Sequence, residues 1–139
     1  MNITIIDGQG GQLGAQLTKE VLLRFPDINL TVIGTNTIAT SAMLKAGAKN
    51  AATGENPIVV ACRKSDVIIG PVGIVIADSL HGEITEKMAV AVGKSDAVRI
   101  LIPMNKCDNL IAGITHTNTK KLIDDTIDKL KNILDSNCC

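Results

Sequence analysis

The sequence predicts an α/β fold of Rossmann-like type, a three-layer sandwich around a mainly parallel sheet. Three observations predict it. Short runs rich in Ile and Val alternate with stretches of helical periodicity, the pattern of successive βαβ units. A glycine-rich turn, Gly8 to Gly14, joins the first such run to the first helical stretch. Phe25 is the only aromatic residue, so Ile, Val, Leu and Ala must fill the core, as they do in sheets buried on both faces.

The first strand is read at Asn2–Ile6, near the centre of the sheet. A helix follows from about Gln12 to Arg24, with Leu13, Leu17 and Val21 on its inner face, and Pro26-Asp27 ends it. Leu30–Ile33 is the second strand, closed by Gly34. Asn36 or Thr37 caps the second helix, which carries the small-residue stripe Ala39, Ala42, Met43 and Ala46, and Gly47 takes the C-cap. Residues 48–56 read as a polar connection. Asn56 as N-cap with Pro57 at the first helical position starts a short helix through Arg63. Asp66–Gly70 is a strand running into a second glycine turn, Gly70-Pro71-Val72-Gly73. The apolar stretch 74–77 leads through Asp78-Ser79-Leu80-His81-Gly82 to a helix near Thr85–Val92, and Ala97–Pro103 is the next strand. Leu110–Ile114 is expected as an antiparallel edge strand, because Asn105–Asn109 is too short for a crossover. The last helix, roughly Asn118–Asp135, buries Ile123, Ile127, Leu130 and Leu134.

At 139 residues, with no linker, repeat or low-complexity stretch, one domain over residues 1–139 is expected. Fourteen basic residues balance fourteen acidic ones, so no global field draws the chain to nucleic acid or an anionic membrane. The scarcity of aromatic rings argues against base-stacking binders. No targeting segment or membrane span is read at the N-terminus. Cys62, Cys107, Cys138 and Cys139 form no CxxC pair, which excludes a zinc knuckle or thioredoxin motif and points to free thiols in a reducing cytoplasm. No metal site is expected.

The informative segment is Asp7-Gly8-Gln9-Gly10-Gly11-Gln12-Leu13-Gly14. It follows a strand and opens a helix, the setting that gives a glycine motif meaning. Gly8 permits the turn off the strand. Gly10 and Gly11 bare the backbone, so a phosphate can reach N–H groups at the positive end of a helix. Gly14 lets the helix approach the strand. The spacing, GxxGxxG through Gly8, Gly11 and Gly14, resembles the first turn of extended short-chain dehydrogenases, where it grips the cofactor pyrophosphate. That resemblance implies a nucleotide or dinucleotide, but NAD or NADP is weakly supported. The second strand ends in Gly34-Thr35-Asn36, with no acid to hold ribose hydroxyls and no Arg for a 2′-phosphate. No Tyr is present for the dehydrogenases' Tyr–Lys pair, and no second domain has room.

Across the whole chain, Ile6 to Gly11, Gly34 to Asn36, Ala42 to Ala48, Thr53 to Asn56, Ile69 to Gly73 and Leu101 to Asn105 resemble a small bacterial family of unassigned function, known mainly from anaerobic Gram-positive bacteria. The resemblance implies a single cytoplasmic Rossmann-like domain, and no activity.

The strand-end loops Gly8–Gly11, Gly34–Thr37 and Gly70–Gly73 are expected to converge where doubly wound folds bind ligands. The candidate set is therefore Asp7, Gly8, Gln9, Gly10, Gly11, Gln12, Gly14, Gly34, Thr35, Asn36, Gly70, Pro71 and Gly73. Asp7 either meets the ligand or caps the turn. Thr35 and Asn36 either donate to the ligand or end a strand and cap a helix. His81, with Asp78 or Glu83 to orient it, has the makings of a general base, but a surface turn residue is the plainer reading. His116 with Cys107 lacks a third catalytic group, and Cys62 belongs to a core stripe. The function expected is binding of a nucleotide or phosphorylated small molecule, non-catalytic or regulatory. The alternatives are an isomerase or transferase on a nucleotide-linked substrate, and an interaction subunit with a structural turn. Homodimerisation is expected through the Ala39–Ala46 stripe and Ile74–Ala77.

Overall fold

Ile and Val at consecutive positions along a strand point to opposite faces of the sheet, so both faces must be covered, and the chain provides that cover with two helical layers. In the computed structural model, which describes residues 1–104, 109–114 and 118–137, five parallel strands lie in the order β3-β2-β1-β4-β5. They are β1 (Asn2–Asp7), β2 (Asn29–Gly34), β3 (Asn50–Thr53), β4 (Val67–Pro71) and β5 (Val98–Ile102). The helices are α1 (Gln12–Arg24), α2 (Thr37–Lys45), α3 (Glu55–Lys64), α4 (Glu86–Lys94) and α5 (Thr119–Ser136), with a 3-10 turn at Val72–Val75. The arrangement is consistent with a Rossmann-like three-layer sandwich, β1 central as expected.

Strand alternation sorts the core into two layers. Ile3 and Ile5 of β1 join Leu17 and Val21 of α1, Met43 of α2 and Ile127 and Leu130 of α5. Ile6 faces the other way, among Ile58 and Cys62 of α3 and Met88 and Val92 of α4. Asp7 continues the parity of Ile3 and Ile5, so its carboxylate points at the first turn of α1. Cys62 is a buried core thiol as read, and burial pushes it up to about 11. Among the described residues no helix is long and apolar enough to cross a membrane.

The structure corrects several expectations. Residues 50–53 are a strand, paired to β2 with Gly34 opposite Thr53. Helix α3 starts at Glu55 with Gly54 as its cap, so Asn56 is not the cap and Pro57 sits third in the helix, where an N–H has no intrahelical partner to lose. Leu110–Ile114 is no strand: it turns at Gly113 (φ 87°) with its apolar side chains exposed. The surfaces expected to support a dimer are divided: Ala42, Ala46, Val75 and Ile76 are half-buried and Ala77 is exposed. Ala39 and Met43 are buried, and Ile74 is fully buried in the α3–α4 layer. His116, Cys107, Cys138 and Cys139 lie outside the described residues.

Candidate functional site

The strand order reverses between β1 and β4, and a crevice opens beyond their carboxyl ends at that switch point. A cavity of about 710 Å³ lies there, walled by the turn from Asp7 to Leu13, by Pro71, Val72 and Gly73, by residues 76–81, and by Met104 and Asn109. Of the expected site residues it thus brings together Asp7, Gly8, Gln9, Gly10, Gly11, Gln12, Pro71 and Gly73.

The other candidates have different places. Gly14 lies one helical turn behind, where a Cβ would stand 2.7 Å from Met43 Sδ and 2.8 Å from Asp7 Cβ. Gly70 lets β4 pass Ile6, whose carbonyl oxygen would lie 2.5 Å from a Cβ there. Gly34 makes the same allowance for Thr40 of α2. All three serve close packing. Residues 53–56 also stand apart, with Glu55 Oε2 accepting from the Thr85 hydroxyl at 2.5 Å.

Within the turn, most backbone donors are already paired. Asp7 Oδ1 accepts from the Gly8 N–H at 2.8 Å and Oδ2 from the Gly14 N–H at 2.7 Å. Asp7 therefore caps the turn from beneath. Burial pushes its carboxyl above the usual range, the Gly14 and Gly8 donors pull it back only in part, and the Glu83 charge adds to the rise. The Gly11 N–H donates to Gly8 O at 2.9 Å, and Gly11, at φ 72°, is the N-cap of α1. Among the described residues the N–H groups of Gly10, Gln12 and Leu13 have no acceptor. These three belong to the cavity wall, at the positive end of a thirteen-residue helix. Among the described residues no Lys or Arg lines this cavity and His81 is its one imidazole; Lys45 of α2 lies with Gly10 and Gln12 in a neighbouring groove.

Asn36 and Thr35 do both things the sequence allowed. Asn36 Oδ1 caps α2 through the Ala39 N–H at 2.9 Å. Its Nδ2 donates to Glu83 Oε1 at 2.6 Å, and so does the Thr35 hydroxyl, at 2.6 Å. The same oxygen takes the Gln9 N–H at 3.0 Å. Burial works to raise the Glu83 carboxyl, but these donors, together with His81, hold it below the usual range. Sequence reasoning missed this role, because Glu83 stands 48 positions from Thr35 and no spacing rule connects them. The polar stretch around Glu83 was visible, and its destination was not.

The loop that delivers Glu83 is strained. Asp78, Leu80 and His81 hold φ of 65°, 55° and 56°, the left-handed region that costs non-glycine residues energy and gathers at functional sites. His81 is exposed.

The chain belongs to the family described as domain of unknown function DUF3842, whose model matches residues 2–135. No curated protein and no solved structure matches it.

Proposed function

We propose that the protein binds a nucleotide or another phosphorylated small molecule in the cavity between the ends of β1 and β4, without necessarily transforming it. One observation carries the reading: Gly10, Gln12 and Leu13, whose N–H groups have no acceptor among the described residues, line a cavity at the switch point of the sheet. A helix N-terminus with free donors favours an anion, and the cavity volume falls in the range of small-molecule sites, about 300–1,000 Å³. The turn already holds one anion of its own, the Glu83 carboxylate on the Gln9 N–H.

The test is a thermal-shift panel of NAD, NADP, adenine nucleotides, nucleotide sugars, coenzyme A and sugar phosphates. A ligand at one hundred times its dissociation constant adds about 2.7 kcal/mol, a rise on the order of 5–10 °C for a domain of this size. The control is Gly10→Asp. A Cβ at Gly10 meets nothing within 4 Å, so the variant folds while its carboxylate stands against the incoming anion. If no compound moves the wild type, or Gly10→Asp responds equally, the turn is structural and the interaction-subunit reading takes over.

A second reading, an isomerase or transferase, is favoured by His81 and Asp78, which line the cavity in strained backbone. It requires His81→Ala to bind the ligand and lose turnover; loss of binding alone counts against it. The setting proposed is a bacterial cytoplasm, which the unpaired thiol of Cys62 suits. Pairing of two copies through the uncovered parts of the Ala39–Ala46 stripe and of Ile74–Ala77 belongs to the proposal, and a sedimenting mass of one chain at micromolar concentration removes it.

A further inference from the structure

The crevice above the strand ends is divided, and among the described residues the cavity occupies its β4 half. Asp7 and Gly34 are partners across β1 and β2, so the space over Gly8 and Thr35 is where doubly wound folds hold the first ribose of a dinucleotide, with an acid at the end of the second strand. Here that space is filled. Glu83 Oε1 sits in it, bound by Thr35, Asn36 and the Gln9 N–H. A Cβ on Gly8 would lie 2.6 Å from Thr35 Oγ1, 2.9 Å from Leu80 Cδ1 and 3.2 Å from Glu83 Oε1. The cavity takes none of its wall from residues 34–37; it lies on the β4 side.

The partition is residues 78–83, and it is tied down. The Asp78 N–H donates to Ile84 O at 2.7 Å, the Gly82 N–H to Asp78 O at 3.1 Å, and the Ser79 hydroxyl to the Gly73 carbonyl. Its carboxylate at Glu83 repels any second phosphate or 2′-phosphate brought over Gly8. On the open side no Phe, Tyr or Trp lines the cavity, and among the described residues the one ring in its wall is the exposed His81 imidazole, so a base finds no broad apolar platform on which to stack. The side chains of Gln9, Gln12 and Asp78 offer amide and carboxylate partners suited to hydroxyl groups.

Resting on the phosphate-binding reading above, we infer that the 78–83 partition, pinned by Glu83, sets the ligand class: a phosphomonoester of a small polyhydroxylated molecule, a sugar phosphate, with dinucleotides excluded. The phosphate end meets Gly10, Gln12 and Leu13, and the hydroxylated body runs toward Asp78.

Isothermal titration of the full chain with ribose 5-phosphate, adenosine monophosphate and NAD tests this. The wild type is expected to bind ribose 5-phosphate at least tenfold more tightly than NAD and no less tightly than adenosine monophosphate. Glu83→Ala unpins the partition and is expected to reduce the discrimination against NAD at least tenfold. Glu83→Gln, which keeps an acceptor oxygen for the same donors, is expected to retain it. Wild-type binding of NAD as tight as that of ribose 5-phosphate overturns the inference while leaving the phosphate reading standing. A tenfold preference for adenosine monophosphate overturns the sugar-phosphate class, and unchanged discrimination in a folded Glu83→Ala overturns the part given to Glu83. Should Glu83→Ala fail to fold by circular dichroism, the wild-type ratios decide. Silence from all three probes overturns both readings together.

Discussion

Neighbouring glycines of the turn do different physical work, and single substitutions separate them. Gly11 combines φ of 72° with an approach that would put a Cβ 2.7 Å from Ala39 Cα. Gly11→Ala is therefore expected to cost at least about 2 kcal/mol, from left-handed strain and the displaced helix. Gly10→Ala, in open space, is expected within about 0.5 kcal/mol of wild type. Urea denaturation reads both, and equal effects contradict the geometry. Asp7→Asn swaps an acceptor oxygen for a donor facing either the Gly8 or the Gly14 N–H. Leaving a buried donor unpaired is expected to cost about 1–3 kcal/mol, again from denaturation midpoints. At this scale the sequence was readable where a residue acts on its own segment: the close approach at Gly14 and the two readings of Asp7 both follow from strand–turn–helix order. Glu83 was unreadable because its partners, Gln9, Thr35 and Asn36, come from two other loops.

Among the elements, those with strong periodicity or clear caps were legible to within a residue or two, α1 and α5 above all. Strand β3 was not, because Asn50-Ala51-Ala52-Thr53 carries no β-branched apolar run and lies mostly exposed at the sheet edge; its pairing with β2 makes it a strand. The reverse error at Leu110–Ile114 has the matching cause. The residues are apolar, but Leu110 is 95% exposed and no partner strand among the described residues takes them up. The 78–83 partition was legible only as a polar turn, and its attachment predicts a pH response. The Glu83 carboxyl is lowered in the fold, so its contribution is fully present above the ordinary glutamate range and is lost as pH falls through its folded value. Asp7 is raised, so its burial cost is present above its folded value and relieved as pH falls below the ordinary aspartate range. The two oppose each other in the wild type. The difference isolates Glu83: the melting-temperature gap between wild type and Glu83→Gln is expected at pH 7 and should close on acidification below the folded pKa of Glu83. A gap that widens in acid contradicts the pinning.

For the whole molecule, the decisive property is that the inner strands serve two cores, with β1 at their centre. Its origin was legible in the sequence, since Ile3-Thr4-Ile5-Ile6 reads as a strand covered on both faces rather than one. That strand lies at the centre of the order β3-β2-β1-β4-β5, and the reversal between β1 and β4 is what opens the cavity. Which half of the crevice stays open was not legible, because that depends on a loop folding back across strand ends. The two-core arrangement has a direct consequence at consecutive residues. Ile5 lies fully buried against the α1–α2–α5 layer and Ile6 fully buried against the α3–α4 layer. Truncating either to Ala removes buried methyl groups and leaves a cavity, at about 2–5 kcal/mol each. Because the two side chains point to opposite sides of the sheet, their packing partners differ and the costs should add to first approximation. A sum of about 4–10 kcal/mol rivals the whole stability of a typical domain, about 5–15 kcal/mol. Ile5→Ala and Ile6→Ala are thus each expected to fold with lowered urea midpoints, and the double variant to be largely unfolded at 25 °C. Were either single substitution neutral, one face of β1 would not be covered, and the three-layer arrangement that places the cavity would fail with it.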